Sequence, residues 1–273
     1  MKIVYLGNDE YRNCLRYLID NGHEITAVYV NEVNRCSVFT TTLCARHGIT
    51  VWQHKPSKEE LLSHYAEGAD LFLSADYQHV IPLVAEQMLG VNIHPTLLPV
   101  GRGPTPLPYL LEPHDNSAGI TLHRISPEPD SGDILLQQKL DITQNDSLNS
   151  LKVKLSLLAR DLLERFIMDP QRYLYSAKPQ GKGTYWSSPG TPERTLNWSD
   201  PLSTIKSKLR RFGHFGIYTT IEEQPAIINC AELIEYKHKK PLGVILYEDA
   251  FIVAISVCTG FIVIMKENIC YVH

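Results

Sequence analysis

"KIVYLGNDEYRNCLRYLIDNGHEITAVYV", residues 2–30, decides the fold. Its opening, KIVYLG (Lys2–Gly7), is an apolar run closed by glycine, the pattern of a buried strand. In YRNCLRYLIDNG (Tyr11–Gly22), Cys14, Leu15, Leu18 and Ile19 recur at helical spacing and Gly22 ends the helix. EITAVYV (Glu24–Val30) is β-rich again. Strand, helix and strand in one short stretch predict a right-handed βαβ unit with its two strands parallel.

The pattern continues outward. Phe39–Gly48 reads as a helix, Ile49–Gln53 as a short strand, Ser57–Gly68 as a capped helix and Ala69–Ala75 as a strand. After Ile81–Leu89 comes a strand at VNIH (Val91–His94), then strands at Gly119–Ile125 and Asp133–Ile142. DSLNSLKVKLSLLARDLLERFI (Asp146–Ile167) predicts the longest helix. Asp146 or Ser147 would cap it, and Leu148, Leu151, Leu155, Leu158, Leu162 and Phe166 would form its core face. The expected fold is α/β: a doubly wound, mostly parallel, Rossmann-like sheet over residues 1–178. Residues 179–200, rich in Gly, Pro, Ser and Thr, read as a connector. Residues 201–273 open with a basic helix (Pro201–Gly213) and continue as β-rich runs, a small barrel-like or meandering domain.

Composition narrows the function. With 273 residues and a net charge of −4, the chain lacks the basic surplus of most proteins that hold nucleic-acid backbones. Lys206, Lys208, Arg210 and Arg211 cluster on the basic helix and read as a solvated face. There is no apolar run long enough for a membrane span, and the start lacks the basic segment of a secretory signal, so a cytoplasmic location is expected. Six scattered cysteines with no C-x-x-C pair predict reduced thiols and no zinc or redox motif.

A doubly wound sheet carries its ligands beyond the carboxyl ends of its strands. The turn after the first strand, GNDEYR, lacks the G-x-G-x-x-G that brings backbone against a pyrophosphate, which argues against a nucleotide-cofactor dehydrogenase or a kinase. VNIHPTLLPVGRGPTP (Val91–Pro106) is different. Asn92 and His94, two apart on a strand, face the same way. The loop behind them is stiffened by Pro95, Pro99, Pro104 and Pro106 and turns at Gly101 and Gly103. A third polar candidate, Asp130, stands in EPDSGDIL. Singly, each is an ordinary turn or structural residue; together, an amide, an imidazole and a carboxylate can stabilise an oxyanion and move a proton.

The combination Asn92-Ile93-His94, LLPVGRG (Leu97–Gly103) and Asp130-Ser131-Gly132 resembles the 10-formyltetrahydrofolate-dependent formyltransferases. AGITLHRI matches the strand before that family's Asp, and SADYQHVIP (Ser74–Pro82) looks like its folate-side loop. The resemblance runs through Lys2–Phe166 and extends weakly into LNWSDPLSTIKSKLRRFG, similar to the start of the second domain in methionyl-tRNA formyltransferase-like members. It implies transfer of a formyl group from 10-formyltetrahydrofolate to an amine, without a metal. Asn92, His94 and Asp130 would be catalytic. Tyr77, Val80, Ile81, Pro82, Ser126, Glu128 and Asp130 would hold the folate, and Gly101, Arg102, Gly103 and Pro104 the acceptor.

Members acting on initiator tRNA carry a longer basic loop after the second strand, whereas Asn31–Thr42 is short with one Arg. No nucleic-acid partner is therefore expected. A nucleotide-linked amino sugar is the preferred acceptor, with hydroxyornithine or a related siderophore or peptide amine as the alternative. A folate- or sugar-binding protein without activity is the non-enzymatic reading. The tail could close the acceptor pocket, bind a second ligand or form a homodimer contact.

Overall fold

A computed structural model describes residues 1–32, 36–83, 87–112, 116–213 and 215–272. Arg35, the one arginine of the segment after the second strand, lies outside the described residues. In chain order the elements begin β1 (Lys2–Gly7), α1 (Arg12–Asp20), β2 (Glu24–Tyr29), α2 (Val38–Arg46), β3 (Val51–Trp52), α3 (Lys58–Ala66) and β4 (Leu71–Ala75). They continue with β5 (Gly90–Thr96), α4 (Leu107–Leu110), β6 (Ala118–Arg124), β7 (Ile134–Lys139), α5 (Leu148–Met168) and α6 (Pro170–Tyr175). Last come α7 (Thr191–Arg194), α8 (Leu202–Phe212) and seven strands: β8 (Ile217–Ile221), β9 (Gln224–Ile228), β10 (Glu232–Glu235), β11 (Ile245–Glu248), β12 (Ile252–Val257), β13 (Gly260–Met265) and β14 (Ile269–Tyr271).

The chain divides into two units. The first comprises residues 1–106, 116–142 and 152–187 and holds a seven-stranded sheet of order β3-β2-β1-β4-β5-β6-β7. The opening βαβ reading holds: β1 pairs parallel with β2 on one side and with β4 on the other. Strands β1 and β4 carry side chains at or near zero exposure on both faces, as a sheet covered by helices requires. Helices α1, α2, α3 and α5 form where the sequence predicts, whereas α4, α6 and α7 had no sequence signal, and Ser57 caps α3 in a reciprocal box with Glu60. Ser147 accepts from the Ser150 N–H at the start of α5, and Leu151, Leu155, Leu162 and Phe166 of that helix are fully buried. At roughly 1.5–3 kcal/mol for each large apolar side chain, that stripe anchors the helix.

Past β5 the sheet changes direction. β4 and β5 are parallel, but β6 runs antiparallel to β5 and β7 antiparallel to β6. The two-residue pleat therefore sets Asn92 opposite His123 and His94 opposite Thr121. Asn92 and His94 lie inside β5, which runs on to Thr96, rather than at its end.

The second unit comprises residues 107–115, 143–151 and 188–273 and carries two antiparallel sheets, β10-β13-β12-β11 and β14-β9-β8. One of the β-rich runs, AIINCAELIEY (Ala226–Tyr236), is broken between β9 and β10 at Cys230, whose φ is +47°. Ile205 and Phe212 of α8 pack with Ile217, Ile228, Ile255 and Ile262 into one core. The basic residues of α8 depart from the expectation of a solvated face. Lys208 pairs with Asp200 at 3.1 Å, Arg210 donates to the Asp146 and Thr143 carbonyls, and Arg211 pairs with Glu112 at 2.6 Å and donates to the Pro108 carbonyl. Lys206 alone of the four is exposed.

Candidate active site

Asn92, His94 and Asp130 meet. Oδ1 of Asp130 lies 3.3 Å from the Asn92 amide nitrogen and 3.4 Å from His94 Nδ1. A residue not singled out from the sequence, His123, brings its Nε2 to 3.6 Å of the same oxygen and to 3.0 Å of the Asn92 amide nitrogen. The other carboxylate oxygen, Oδ2, accepts from the Gly103 N–H at 2.9 Å. His94 and His123 are 4% and 1% exposed, so these contacts form away from bulk water.

The hydrogen placements follow from partners that can only accept. His94 Nε2 lies 2.8 Å from the Gly101 carbonyl and must carry a hydrogen there. Its Nδ1 then donates to Asp130 only when the ring is an imidazolium. His123 Nδ1 lies 2.8 Å from the Arg124 carbonyl, so in the neutral ring Nε2 is the lone pair that accepts from Asn92. One Asn92 amide hydrogen is thus directed at His123 and the other at Asp130. Burial raises the pKa of the Asp130 carboxyl, but the hydrogen bonds that His123 and His94 give it when their rings are protonated, the charge of His94 and the Gly103 N–H outweigh it. The group is held as a carboxylate well below the usual range.

Tertiary bonds hold the proline-rich loop. Thr121 Oγ1 donates to the Thr96 carbonyl at 2.6 Å and accepts from Leu98 N–H at 3.1 Å, and Gln137 donates to both Leu98 O and Thr121 Oγ1 at 2.8 Å. On the far side the loop is strapped by residues 178–186, part of the stretch read as a connector. Arg102 N–H donates to Thr184 O at 3.0 Å, Trp186 N–H to Arg102 O at 2.7 Å, and Gly101 N–H to Thr184 Oγ1 at 2.9 Å. Gly103 needs its missing Cβ: φ is +120°, and a Cβ would stand 2.2 Å from the Trp186 carbonyl oxygen. Gly103→Ala is therefore expected to lower stability by about 1–3 kcal/mol and to pull the N–H off Asp130. Thermal unfolding together with kcat checks this; wild-type values for both would show that the strap yields.

Of the residues expected on the folate side, Ile81 is buried in one cluster with Met88, and Tyr77 packs on that cluster beside Leu83 and Ile125, which ties the loop after β4 to the end of β6. The Tyr77 hydroxyl is buried without a hydrogen-bond partner, an orphan that a heteroaromatic ligand could satisfy. Pro82 is half-buried, while Val80 is exposed. Ser126 Oγ donates to Glu128 O at 2.7 Å and bonds Ser131 Oγ at 3.0 Å, shaping the turn that presents Asp130 at φ +54°. Arg102 spends Nε and Nη2 on Gln180 and Gly181, and Pro104 is exposed beside it.

Asp76, at the end of β4, is the other unusual acid. Its φ is +61°, and Asn8 donates to its carbonyl at 2.8 Å. Burial, reinforced by the Glu10 charge and opposed by Lys152, pushes its carboxyl up to about 8. Among the described residues no group of three or more His, Cys, Asp or Glu could hold a metal ion, and no helix is long and apolar enough to cross a membrane.

His123 was hidden in sequence because only the β5–β6 register sets it against Asn92. Gln180 was hidden because it sits in a Gly- and Pro-rich segment with no periodic signal.

Comparison with known proteins bears on the family and the fold. The formyl transferase family profile matches residues 15–167, more than half of the chain. Methionyl-tRNA formyltransferase from Staphylococcus aureus is 26% identical over 260 residues, covering 90% of this chain and 84% of that protein. Among solved structures, HypX from Aquifex aeolicus superposes with a TM-score of 0.78 at 18% identity over 97% of this chain, which spans only 43% of the HypX chain. An N-formyltransferase from Helicobacter canadensis, solved with folinic acid and dTDP-3-aminofucose, gives 0.61 at 18% identity over 97% of this chain and 98% of that one. At such identities these structures speak for the fold.

Proposed function

Because the chain belongs to the formyl transferase family, we propose that it moves the formyl group of 10-formyltetrahydrofolate to the amine of a small molecule, a nucleotide-linked amino sugar. The observation that carries the reading is the convergence of Asn92, His94 and His123 on one oxygen of Asp130. Residues 1–178 would form the catalytic domain, with 179–200 as connector and 201–273 as the small β-rich domain.

The acceptor amine attacks the formyl carbon. The new C–N bond makes the formyl carbon tetrahedral and its oxygen an oxyanion; collapse of this intermediate breaks the bond from that carbon to the folate nitrogen, and the proton leaving the amine ends on that nitrogen. The charge of His94 as an imidazolium and a hydrogen bond from the Asn92 amide stabilise the oxyanion, the hydrogen bond at roughly 2.7–4 kcal/mol for such a donor in comparable acyl-transfer sites. Both Asn92 hydrogens are engaged at rest, so the oxyanion would displace the longer contact, the one to Asp130 at 3.3 Å. Asp130, already ionised, holds the imidazolium and guides the proton through it or an ordered water. Tyr77, Val80, Ile81, Pro82, Ser126 and Glu128 would line the pterin slot. Gly101, Arg102, Gly103 and Pro104 would wall the acceptor side.

A small acceptor is favoured over tRNA because Lys208, Arg210 and Arg211 are consumed by bonds within their own unit, leaving no basic face on α8. The test is turnover of 10-formyltetrahydrofolate, followed by folate absorbance, with a panel of amines. Amino-sugar nucleotides are expected to react. Turnover with hydroxyornithine alone would move the assignment to the siderophore-type amines, with methionyl-tRNA alone it would overturn the small-molecule reading, and no turnover would leave a binding protein.

A further inference from the structure

Asp130 is a non-glycine residue in the left-handed region at φ +54°, a conformation costing about 1–2 kcal/mol that neighbours must impose. Its carboxylate is held by Gly103 N–H, but something must hold its backbone as well. The Gln180 side-chain amide does so: Nε2 donates to the Asp130 carbonyl at 2.9 Å and to the Gly132 carbonyl at 2.7 Å. Its Oε1 accepts from Arg102 Nε at 3.2 Å and Nη2 at 2.9 Å, and Arg102 Nη2 also donates to Gly181 O at 3.1 Å. Both amide hydrogens and the amide oxygen are thus in use, joining the Asp130–Gly132 turn to the loop that supplies the Gly103 N–H.

The segment bearing Gln180 is pinned on either side. Lys178 and Ile134 exchange backbone hydrogen bonds at 2.9 and 2.8 Å. Thr184 N–H donates to the Pro99 carbonyl at 3.1 Å, next to the bridge that pairs Tyr185 with Arg102. The amide therefore has little freedom to follow the turn if the turn relaxes.

We infer that Gln180 is a positioning residue of the formyl-transfer site: with Arg102 it locks the left-handed Asp130 turn, so that the carboxylate meets His94 and Gly103 N–H together. This rests on the catalytic reading of Asp130. Gln180 touches no reacting atom; it acts by fixing where the carboxylate stands, and small displacements at such sites cost rate more than binding.

Gln180→Leu keeps the side chain's approximate bulk and removes all four hydrogen bonds. The expected result is a fall in kcat of about tenfold or more, with KM for folate and amine moving less than about threefold. A double-mutant cycle separates positioning from general support. In an Asp130→Asn background, Gln180→Leu should cost less than about twofold, since the carboxylate it places is gone. Equal losses in both backgrounds, or wild-type kcat in Gln180→Leu, would overturn the inference. If Asp130→Asn alone keeps wild-type turnover, the catalytic reading fails instead, and the two failures are told apart. Should Gln180→Leu not fold, Gln180→Glu enters the same cycle with the same outcomes, because it retains the acceptor for Arg102 and loses both donors to the turn.

Discussion

Asp130→Asn is expected to lower kcat by about 10²–10⁴-fold while the protein still folds. The substitution is nearly isosteric, and Asn tolerates the φ of +54° at this position, so the backbone need not move. What changes is the acceptor inventory. The carboxylate takes a donor from Asn92 and, when its ring is protonated, from His94 on one oxygen, with His123 Nε2 3.6 Å from that oxygen, and a donor from Gly103 on the other. An amide that keeps the Gly103 bond must turn its NH2 toward those three groups, and one that keeps an oxygen toward them loses Gly103. Either way His94, when protonated, loses its counter-charge. Single-turnover kinetics measures the effect, and a rate within about threefold of wild type would remove Asp130 from the mechanism.

The same variant carries a pH signature. The folded-state pKa of Asp130 is depressed, so its contribution to stability is present above the unfolded value, about 3.9, and is lost as pH falls through the lower folded value. The stability gap between wild type and Asp130→Asn should therefore be widest near neutrality and narrow on acidification below about pH 4. A gap independent of pH would show that the carboxylate's charge is not what its neighbours hold.

Asp76→Asn should do the reverse and stabilise the protein in mild alkali. The Asp76 carboxyl is pushed up to about 8 by burial first and by Glu10 second, against Lys152, the Asn8 side chain and the Glu10 N–H. In the unfolded chain it titrates near 3.9. Between these values folding takes up a proton, so stability is greatest below about 4 and declines as pH rises through about 8, by a few kcal/mol in all. Asn removes the titration and accepts the φ of +61°. Melting temperatures from pH 5 to 8.5 should fall for wild type relative to the variant, and two parallel curves would refute a neutral, buried Asp76. Tyr5 and Tyr11, whose buried hydroxyls are pushed up partly by this group, would report its ionisation spectroscopically.

Much of the fold was legible because its signals are local. Apolar runs ending in Gly7, the Ser57–Glu60 box and the leucine stripe of α5 act within a few residues of themselves, and the structure places β1, α3 and α5 where those patterns stand. The loop 97–103 was legible as a rigid one for the same reason. The basic helix was misread because sequence shows where charges lie on a helix and not which carbonyls stand opposite: Arg210 meets the Asp146 and Thr143 carbonyls 64 and 67 residues away along the chain.

Asn92 and His94 could be paired from the two-residue period of a strand, and Asp130 was attached to them by resemblance to a family. Their meeting at one oxygen, and the addition of His123, Gly103 N–H and Gln180, came only from the tertiary structure. Sequence by itself determined the elements, their order and the side chains available for chemistry, since those follow from periodicity and backbone preference. The antiparallel register of β6 on β5, the left-handed turn at Asp130 and the strap over Gly103 decided which polar atoms face one another. Those contacts join residues far apart along the chain, 27 positions for Gly103 and Asp130 and 83 for Gly101 and Thr184, and no local propensity encodes them.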